Sequence, residues 1–341
     1  MQLLDFQSII LTLILSALTF ALWTMRSTRI WNPRCQFCYV TGGSSGLGLA
    51  VAKALIKRGA HVTIVARNEE RLANALAKLE GFRQNPDQII RSYSFSLTDA
   101  DASKSALEAA SKDHGGKYPD AVFMCAGAAT PGFFVEEDAQ SMQKGMDNTY
   151  WVQAYTALAY TKQIVRDKTP GKLVFTCSLL GYMSMIGYST YSPGKHALRG
   201  LAETLRSELI LYDCSVHIMF PGNIDSPGYV EENRVKPKIT LEIESTDKAT
   251  APEALAIELI HGIERDEFHI APDKLSNIFR CSTIGATPHH NLLWDGFYAL
   301  IGWIGLPLWR RDVDSKILNH REEHNEYLTA VGFFKTDPLM D

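Results

Sequence analysis

The 341-residue sequence predicts an α/β fold, a doubly wound parallel sheet with helices on both faces. Three observations predict it. Short apolar runs alternate with amphipathic stretches, which is typical of repeated βαβ units. A glycine-rich loop at 41–48, TGGSSGLG, lies between the first apolar run and the first helical stretch. The chain is also long enough to bury one large core and still carry appendages.

The alternation predicts seven strands and six helices in one domain that covers 36–273. The strands are expected at 37–40, 61–66, 89–95, 121–125, 172–176, 216–220 and 268–271. The helices are expected at 47–58, 69–79, 102–112, 140–164, 196–211 and 252–265. The polar segment 223–248 is long for a connection within a compact domain, so it is predicted to be a substrate loop.

The N-terminal segment predicts a membrane anchor. Residues 6–25 carry no charge, and about 20 apolar residues are enough to span a bilayer. The alternative is a cleaved secretory signal, which usually has a basic leading region and a small-residue cleavage site. Here Asp5 leads, and Trp23 and Met25 close the run. Arginines follow between positions 26 and 34, so residues 1–30 are predicted to anchor a domain that faces the cytosol.

A C-terminal extension, 274–341, is predicted to meet the membrane again. Its segment 291–309 mixes Leu, Ile and Trp with Gly, Pro and Asp295, which favours an interfacial or re-entrant segment over a clean span. Trp294, Trp303 and Trp309 suit the level of the lipid headgroups. A buried helix of the domain is the alternative. The residues from Arg310 onward are predicted to form a solvated helix and tail.

Charge and cysteine content exclude other classes. The net charge of −4 comes with no basic stripe, so no nucleic-acid partner is expected. The six cysteines fit a cytosolic domain in which thiols stay reduced. Cys35 and Cys38 form a CxxC without the second pair that a zinc site needs, so no metal site is predicted.

The glycine-rich loop predicts a Rossmann-type dinucleotide site. Glycines let the backbone approach a pyrophosphate, and the following helix directs its first N–H groups at that charge. The loop follows a strand and precedes a helix, as the motif requires. A glycine turn without a ligand is the alternative. The predicted contacts are Gly42, Ser44, Ser45, Gly46, Leu47 and Gly48.

The end of the second strand predicts the cofactor. An acidic residue about 20 positions after the loop would bind the free ribose 2′-hydroxyl of NADH. This sequence has Arg67 at that place, and a guanidinium suits the 2′-phosphate of NADPH. NADPH is therefore favoured over NADH, unless Arg67 only solvates the strand end.

Tyr191 and Lys195 are predicted to form the acid–base pair. They are four residues apart and share one face of a helix. A free tyrosine has a pKa of about 10, and a nearby ammonium would lower it, so that Tyr191 could donate a proton to a ketone oxygen. Pro193 is tolerated only in a first turn, which places Tyr191 at the helix entrance.

Ser178 completes the predicted catalytic group. It follows the strand KLVFTC, where the carboxyl end of a strand faces the ligand crevice of an open sheet. Its hydroxyl can donate to a carbonyl oxygen and stabilise developing negative charge.

Together with the glycine loop, these residues resemble the short-chain dehydrogenase/reductase superfamily over 36–273. The resemblance implies that Ser178, Tyr191 and Lys195 are catalytic, and that Asn148, in MDNTYW, holds a water of the proton relay. It implies further cofactor contacts at Ala126, Gly127, Tyr191, Lys195, Pro221 and Gly222. Relatives usually pair through long helices such as 140–164 and 196–211, so a homo-oligomer is expected.

Two positions depart from the family pattern, and both concern cofactor contacts. The usual NNAG after the fourth strand is MCAG here, with Cys125 before Ala126 and Gly127. Ser96 stands where an aspartate usually meets the adenine, and Asp99 comes a little later.

The segment 221–237, PGNIDSPGYVEENRVKP, resembles the substrate loop of 3-ketodihydrosphingosine reductases, membrane enzymes of sphingolipid synthesis. The resemblance implies NADPH-dependent reduction of 3-ketodihydrosphingosine to dihydrosphingosine at the endoplasmic reticulum membrane. An anchored enzyme would take this long-chain keto-amine from the cytosolic leaflet. Asp225, Glu231 or Glu232 is expected to meet the substrate ammonium, unless these are solvated loop charges.

Two other functions remain open at this stage, and a third is disfavoured. A membrane-bound reductase of steroids or retinoids would share the anchor and the catalytic residues. A catalytically silent dinucleotide-binding protein would not need Ser178, Tyr191 and Lys195 intact. An oxidising dehydrogenase that uses NAD conflicts with Arg67.

Overall fold

The computed structural model describes Ser8, Thr12 and residues 31–334. Its strands are β1 (Phe37–Thr41), β2 (His61–Ala66), β3 (Ile90–Ser94), β4 (Ala121–Met124), β5 (Lys172–Thr176), β6 (Ser215–Met219) and β7 (His269–Ile270). They form one seven-stranded sheet in the order β3-β2-β1-β4-β5-β6-β7, and every neighbouring pair is parallel. The predicted doubly wound sheet is confirmed, with strand ends within one or two residues of the predicted ones.

The helices of the described region alternate with these strands and then continue beyond β7. They are α1 (Gly46–Lys57), α2 (Glu69–Glu80), α3 (Ala100–Lys112), α4 (Ala139–Met146), α5 (Val152–Asp167), α6 (Ser192–Leu209), α7 (Pro227–Val235), α8 (Lys238–Ile243), α9 (Pro252–Glu264), α10 (Lys274–Ser282), α11 (Leu292–Asn319) and α12 (Arg321–Ala330).

Two apolar layers hold the sheet between the helices. Successive side chains of a strand point to opposite faces, so β1 sends Val40 into one layer and Tyr39 into the other. The first layer includes Leu55 of α1, and the second includes Leu198 of α6. A sheet buried on both faces explains why the strands read as apolar runs.

The strand order reverses direction between β1 and β4. The chain moves outward from β1 to β3, then crosses back to β4 and moves the other way. In open α/β sheets, ligands bind outside the carboxyl ends of the strands at such a switch point. This topology fixes where the site lies before any side chain is considered.

Two predicted segments have a different local structure. The stretch predicted as one helix, 140–164, is interrupted between α4 and α5 by a π-helical turn at Asp147–Trp151. The stretch predicted as a substrate loop, 223–248, contains the helices α7 and α8. Ser226 caps α7 by accepting a hydrogen bond from the backbone N–H of Tyr229 at 3.2 Å. Residues 221–228 are of types that are common in turns, so the sequence analysis predicted one continuous loop here.

The C-terminal apolar segment is one long helix, α11, which continues past the predicted end at 309 to Asn319. Among the residues that the structure describes, it is the helix that is long and apolar enough to cross a membrane. The predicted anchor at 1–30 and the end of the tail, 335–341, lie outside the described residues. The predicted division of the chain at 273 stays a prediction.

Candidate active site

The glycine-loop cleft lies at the switch point and has a volume of ≈ 380 Å³. Every contact that the glycine loop predicts lines it, together with the predicted residues Arg67, Ala126, Gly127 and Asn148. The full lining is Gly42, Ser44, Ser45, Gly46, Leu47, Gly48, Ala66, Arg67, Asn68, Arg71, Phe95, Leu97, Thr98, Cys125, Ala126, Gly127, Ala128, Asn148, Val152, Thr176, Ile224, Ser226 and Gly228.

The loop has the close backbone approaches that a dinucleotide cradle needs. Gly42 has φ +66°, and a Cβ there would lie 2.8 Å from the backbone nitrogen of Ala126. A Cβ on Gly48 would lie 2.4 Å from the carbonyl oxygen of Gly42, so the loop folds directly onto the start of α1. Ser45 makes no side-chain cap at that helix end, which leaves the first N–H groups of α1 without a side-chain acceptor from their own cap residue. These features fit a bound pyrophosphate.

A second arginine, Arg71, lines the cleft together with Arg67. Asn68 caps α2 by accepting a hydrogen bond from the backbone N–H of Arg71 at 2.7 Å, and all three residues line the cleft. The site therefore presents two guanidinium groups beside the end of β2. Sequence analysis missed Arg71, although its position in the first turn of a capped helix, four residues after Arg67, was a usable signal.

Of the two positions that depart from the family pattern, Cys125 lines the cleft and Ser96 does not. Cys125 lines the cleft, and its sulfur accepts a hydrogen bond from the Thr176 hydroxyl at 3.5 Å. Ser96 is absent from the cleft lining, which its neighbours Phe95 and Leu97 form instead. The Asp99 side chain caps α3, because it accepts a hydrogen bond from the backbone N–H of Ala102 at 2.7 Å.

Pro221 and Gly222 follow β6 but do not line the cleft. The carbonyl of Pro221 accepts a hydrogen bond from the backbone N–H of Leu179 at 2.8 Å, which ties this turn to the segment after β5. Ile224, Ser226 and Gly228 line the cleft on this side, and sequence analysis missed them.

Ser178, Tyr191 and Lys195 come together at the carboxyl end of β5. Tyr191 is the residue directly before α6, with Pro193 in the first turn, as predicted. The side chains of Tyr191 and Ser178 share a hydrogen bond. The Lys195 ammonium lies 5.5 Å from the centre of the Tyr191 ring and donates to the carbonyl of Thr176 at 3.0 Å. Lys195 is buried, so this carbonyl provides part of its solvation.

The π-helical turn brings Asn148 to the same place. The backbone carbonyl of Asn148 accepts from the N–H of Ala128 at 3.2 Å. A Cβ on Gly127 would lie 3.2 Å from that carbonyl oxygen and 3.9 Å from the Lys195 nitrogen. π-Helical turns often mark functional sites because they displace backbone groups from the regular ladder. Here the turn places the Asn148 carbonyl near Lys195, with Gly127 between them.

A second cavity, the Phe133 groove, has a volume of ≈ 300 Å³. Its lining is largely apolar and includes two residues that flank Tyr191 closely in sequence, Tyr188 and Ser192. The full lining is Phe133, Phe134, Ser184, Met185, Ile186, Gly187, Tyr188, Ser189, Ser192 and Pro193. Residues close to Tyr191 in the chain thus belong to the groove, and Thr176, the carbonyl partner of Lys195, belongs to the cleft.

The pKa of Tyr191 differs from the sequence-based prediction. Burial raises this pKa, the Glu232 carboxylate raises it further, and the hydrogen bond with Ser178 lowers it only in part. The prediction of a lowered pKa is therefore wrong for this arrangement, because desolvation of the phenolate dominates. The buried Lys195 has a lowered pKa for the same reason, since burial disfavours its charged form as well. A phenol that stays protonated at neutral pH is nevertheless the form that a proton donor requires.

Comparison with known proteins agrees with this geometry. Residues 36–236 match the family described as short chain dehydrogenase. The chain is also 39% identical over 312 residues to the 3-ketodihydrosphingosine reductase TSC10 of Cryptococcus neoformans var. neoformans serotype D (strain B-3501A), with 92% of each chain covered. The chain belongs to the short-chain dehydrogenase family, in its 3-ketodihydrosphingosine reductase group.

Other members show the same breadth of similarity. The 3-ketodihydrosphingosine reductase ksrA of Aspergillus fumigatus is 35% identical over 289 residues, with 78% of each chain covered. A solved short chain dehydrogenase/reductase from Burkholderia phymatum, in complex with NAD, superimposes with a TM-score of 0.64 at 18% identity. That superposition covers 72% of this chain and 91% of the other, and it supports the fold. Family membership makes the protein an oxidoreductase.

Proposed function

We propose that the protein reduces 3-ketodihydrosphingosine to dihydrosphingosine with NADPH. The observation that carries the proposal is the grouping of Ser178, Tyr191 and Lys195 at the carboxyl end of β5. Thr176, whose carbonyl accepts from Lys195, lines the glycine-loop cleft, and Ser192, the neighbour of Tyr191 in the chain, lines the Phe133 groove. A polar cofactor fits the first cavity and an apolar chain fits the second. The two curated relatives described above bear the name of this activity.

The proposed reaction adds a hydride to the carbonyl carbon and a proton to the carbonyl oxygen. NADPH supplies the hydride when it is bound. Tyr191 donates the proton, and Ser178 donates a hydrogen bond to the same oxygen as negative charge develops there. Lys195 stabilises the resulting phenolate by its charge. The Asn148 carbonyl would hold the water through which Tyr191 regains its proton.

The cofactor preference is proposed to come from Arg67 and Arg71. Replacing Arg67 with serine is expected to lower kcat/KM for NADPH by about 10- to 100-fold, the loss typical of a hydrogen bond to a charged group, and to leave NADH nearly unaffected. Steady-state kinetics with both cofactors measures this ratio. Arg91→Ser is the matched control, because Arg91 lies on β3 and pairs with Asp113 at 3.7 Å instead of lining the cleft. An unchanged ratio in Arg67→Ser would exclude the 2′-phosphate role.

The substrate is tested by following NADPH oxidation with 3-ketodihydrosphingosine, a steroid ketone and retinal as separate substrates. We expect turnover with the keto-amine and at least ~10-fold lower kcat/KM with the other two, because a missing polar contact in a built site costs about 1–3 kcal/mol. Higher efficiency with the steroid or the retinoid would favour the membrane-bound reductase alternative. Cofactor binding without turnover of any ketone would favour the catalytically silent alternative.

We also propose that α11 lies in the membrane interface rather than across the bilayer. One face of the helix is fixed to the domain: Asp295 pairs with Arg280 at 2.5 Å, and Gly302 packs against Ser282. The opposite face is apolar and exposed, at Leu293, Trp303 and Leu308 among others. A helix with one face fixed to the protein and an apolar, exposed face on the other side is suited to lie between the domain and lipid.

The same surface supports a route for the substrate. Arg310 of α11 donates to the carbonyl of Ser184, and His324 of α12 packs against Phe133 with 4.3 Å between ring centres. Both partners line the Phe133 groove, so the groove opens next to the proposed membrane face. The anchor at 1–30, residence in the endoplasmic reticulum with the domain facing the cytosol, and a homo-oligomer stay predictions.

A further inference from the structure

A buried ionic cluster lies beside the candidate active site. It consists of Tyr188, Glu232, Lys236 and Glu244, here called the Lys236 cluster. The Lys236 nitrogen lies 2.6 Å from Glu244 Oε2 and 3.1 Å from Glu232 Oε1. Its side chain is 0% exposed, and that of Glu244 is 7% exposed. The Tyr188 hydroxyl lies 2.6 Å from a Glu232 oxygen and 3.2 Å from a Glu244 oxygen, so its single proton is shared between the two carboxyl groups or donated to the nearer one.

The charges in the Lys236 cluster do not balance. Burial lowers the pKa of Lys236, but its hydrogen bonds and ion pairs with Glu244 and Glu232 outweigh this and raise it overall, so the ammonium stays charged. One ammonium thus faces two carboxyl groups, and burial raises the pKa of Glu244. When both carboxyl groups are ionised, the cluster carries one negative charge in excess. Buried charges are stable when they are paired, so this site favours the arrival of a second cation.

The excess charge is accessible at Glu232. The hydrogen bond from Tyr188 and the 3.1 Å contact with Lys236 both use Oε1, and among residues 31–334 no hydrogen bond to Oε2 is present. The side chain is 18% exposed, more than either other charged member of the cluster. A carboxylate offers about four lone-pair sites, so Glu232 can accept a further donor without releasing Tyr188 or Lys236.

The position of Glu232 relative to Tyr191 matches the chemistry of a 2-amino-3-ketone. Glu232 is near enough to raise the pKa of Tyr191, after the larger effect of burial. The ring of Tyr188, which holds Glu232, lies 5.8 Å from the ring of Tyr191. In the proposed substrate the amino group is on the carbon next to the carbonyl. A carbonyl oxygen at Tyr191 therefore brings the ammonium close to Glu232.

We infer that Glu232 binds the ammonium of the keto-amine substrate, and that Tyr188 and Lys236 are positioning residues that hold its carboxylate. The inference rests on the proposed function and extends it to the group that sets specificity. The arriving ammonium would also offset the charge of Glu232 next to Tyr191. Substrate binding would then favour loss of the proton from Tyr191, as catalysis requires.

The other two acidic candidates are less suitable. Glu231 pairs with Arg234 at 2.9 Å on the solvent side of α7, and both side chains are about two-thirds exposed, at 65% and 67%. Asp225 is exposed, and its backbone joins the short bridge between Ile224 and Thr250. An exposed carboxylate in water gains little from an ion pair.

The test compares 3-ketodihydrosphingosine with its analogue without the amino group, 1-hydroxyoctadecan-3-one. The readout is the ratio of kcat/KM for the two substrates. In the full-length protein we expect a ratio of about 10 to 100 in favour of the keto-amine, which falls close to 1 in Glu232→Gln. Glu231→Gln is the matched control, since it changes the neighbouring carboxylate on the same helix, and its ratio should equal that of the unaltered protein.

The unaltered protein provides a second measurement that does not depend on how the variant folds. A ratio near 1 in the unaltered protein would overturn the inference, and so would an unchanged ratio in a Glu232→Gln protein that still binds NADPH. In both cases turnover of the keto-amine would leave the proposed function standing. No turnover of the keto-amine by the unaltered protein, with turnover of a steroid ketone or retinal, would instead remove the proposed function.

Discussion

Replacing Tyr191 with phenylalanine is expected to lower kcat by about 10²- to 10⁴-fold, the contribution typical of a positioned general acid. The substitution removes the proton donor and the hydrogen bond with Ser178 but leaves the ring in place. The glycine-loop cleft is unaffected, because Tyr191 is not among its lining residues. NADPH binding, followed by fluorescence titration, should therefore change much less than kcat.

Tyr155→Phe is the matched control for this substitution. Tyr155 is also half-buried and stacks on Trp151, with 5.0 Å between ring centres, but it lies on α5 and lines neither the glycine-loop cleft nor the Phe133 groove. We expect its kcat within a few-fold of the unaltered protein. A Tyr191→Phe protein that keeps more than a tenth of the original kcat would show that another group donates the proton.

The kcat for reduction is expected to fall at high pH and not at low pH as far as Tyr191 is concerned. Reduction requires the protonated phenol, and burial raises the pKa of Tyr191. The group therefore stays protonated at neutral pH, and kcat for reduction should fall only when the pH rises through that pKa in the alkaline range. Glu232 contributes to the raised pKa, so its role connects substrate recognition to proton donation.

Probes along the outer face of α11 are expected to report one common depth in the membrane. Leu293, Leu300 and Leu308 lie on one exposed stripe of the helix. An interfacial helix buries such a face about 5–10 Å into the boundary between headgroups and acyl chains. A helix that crossed the bilayer would instead separate the first and last of these positions by about 22 Å along the membrane normal, at 1.5 Å per residue.

Nitroxide labels on single cysteines at these three positions, in the full-length protein in phospholipid vesicles, distinguish the two arrangements by their accessibility to oxygen and to a water-soluble relaxation agent. Exposed Cys35 is first replaced with serine to limit background labelling. Lys78→Cys is the control, because Lys78 is exposed on α2 near the β3 edge of the sheet, far from α11, and should report water. Depths that increase steadily from 293 to 308 would reject the interfacial arrangement.

The ion pair between Arg280 and Asp295 explains why the sequence could not decide this point. Asp295 reads as an unfavourable charge within an apolar segment. In the structure it is 3% exposed and also accepts from the backbone N–H of His290 at 3.1 Å. Its charge is satisfied by the domain, so it fixes the first turn of α11 to α10. This partner lies in another helix, which a local pattern does not reveal.

The sequence by itself determined the parts of this protein that depend on neighbours along the chain. A strand buried on both faces produces an apolar run, a glycine loop needs its residues consecutively, and Tyr191, Pro193 and Lys195 share one turn of helix. These are short-range constraints, so the sheet, the cleft and the grouping of Tyr191 with Lys195 could be predicted. The π-helical turn at Asn148 and the helices α7 and α8 were not predicted. For α7 the sequence does carry a local signal, since Ser226 caps the helix and Pro227 begins it, but the turn-forming residues before it favoured a loop.

Only the tertiary structure decided the electrostatics of the site. Tyr188 meets Glu232 and Glu244 across 44 and 56 positions of sequence. Desolvation and charge act through space, so their sign at Tyr191 depends on which groups the fold brings near. Sequence spacing predicted an ammonium that would lower the pKa of Tyr191. The fold surrounds the phenol with protein and places a carboxylate near it, and for a buried group these effects outweigh the lysine.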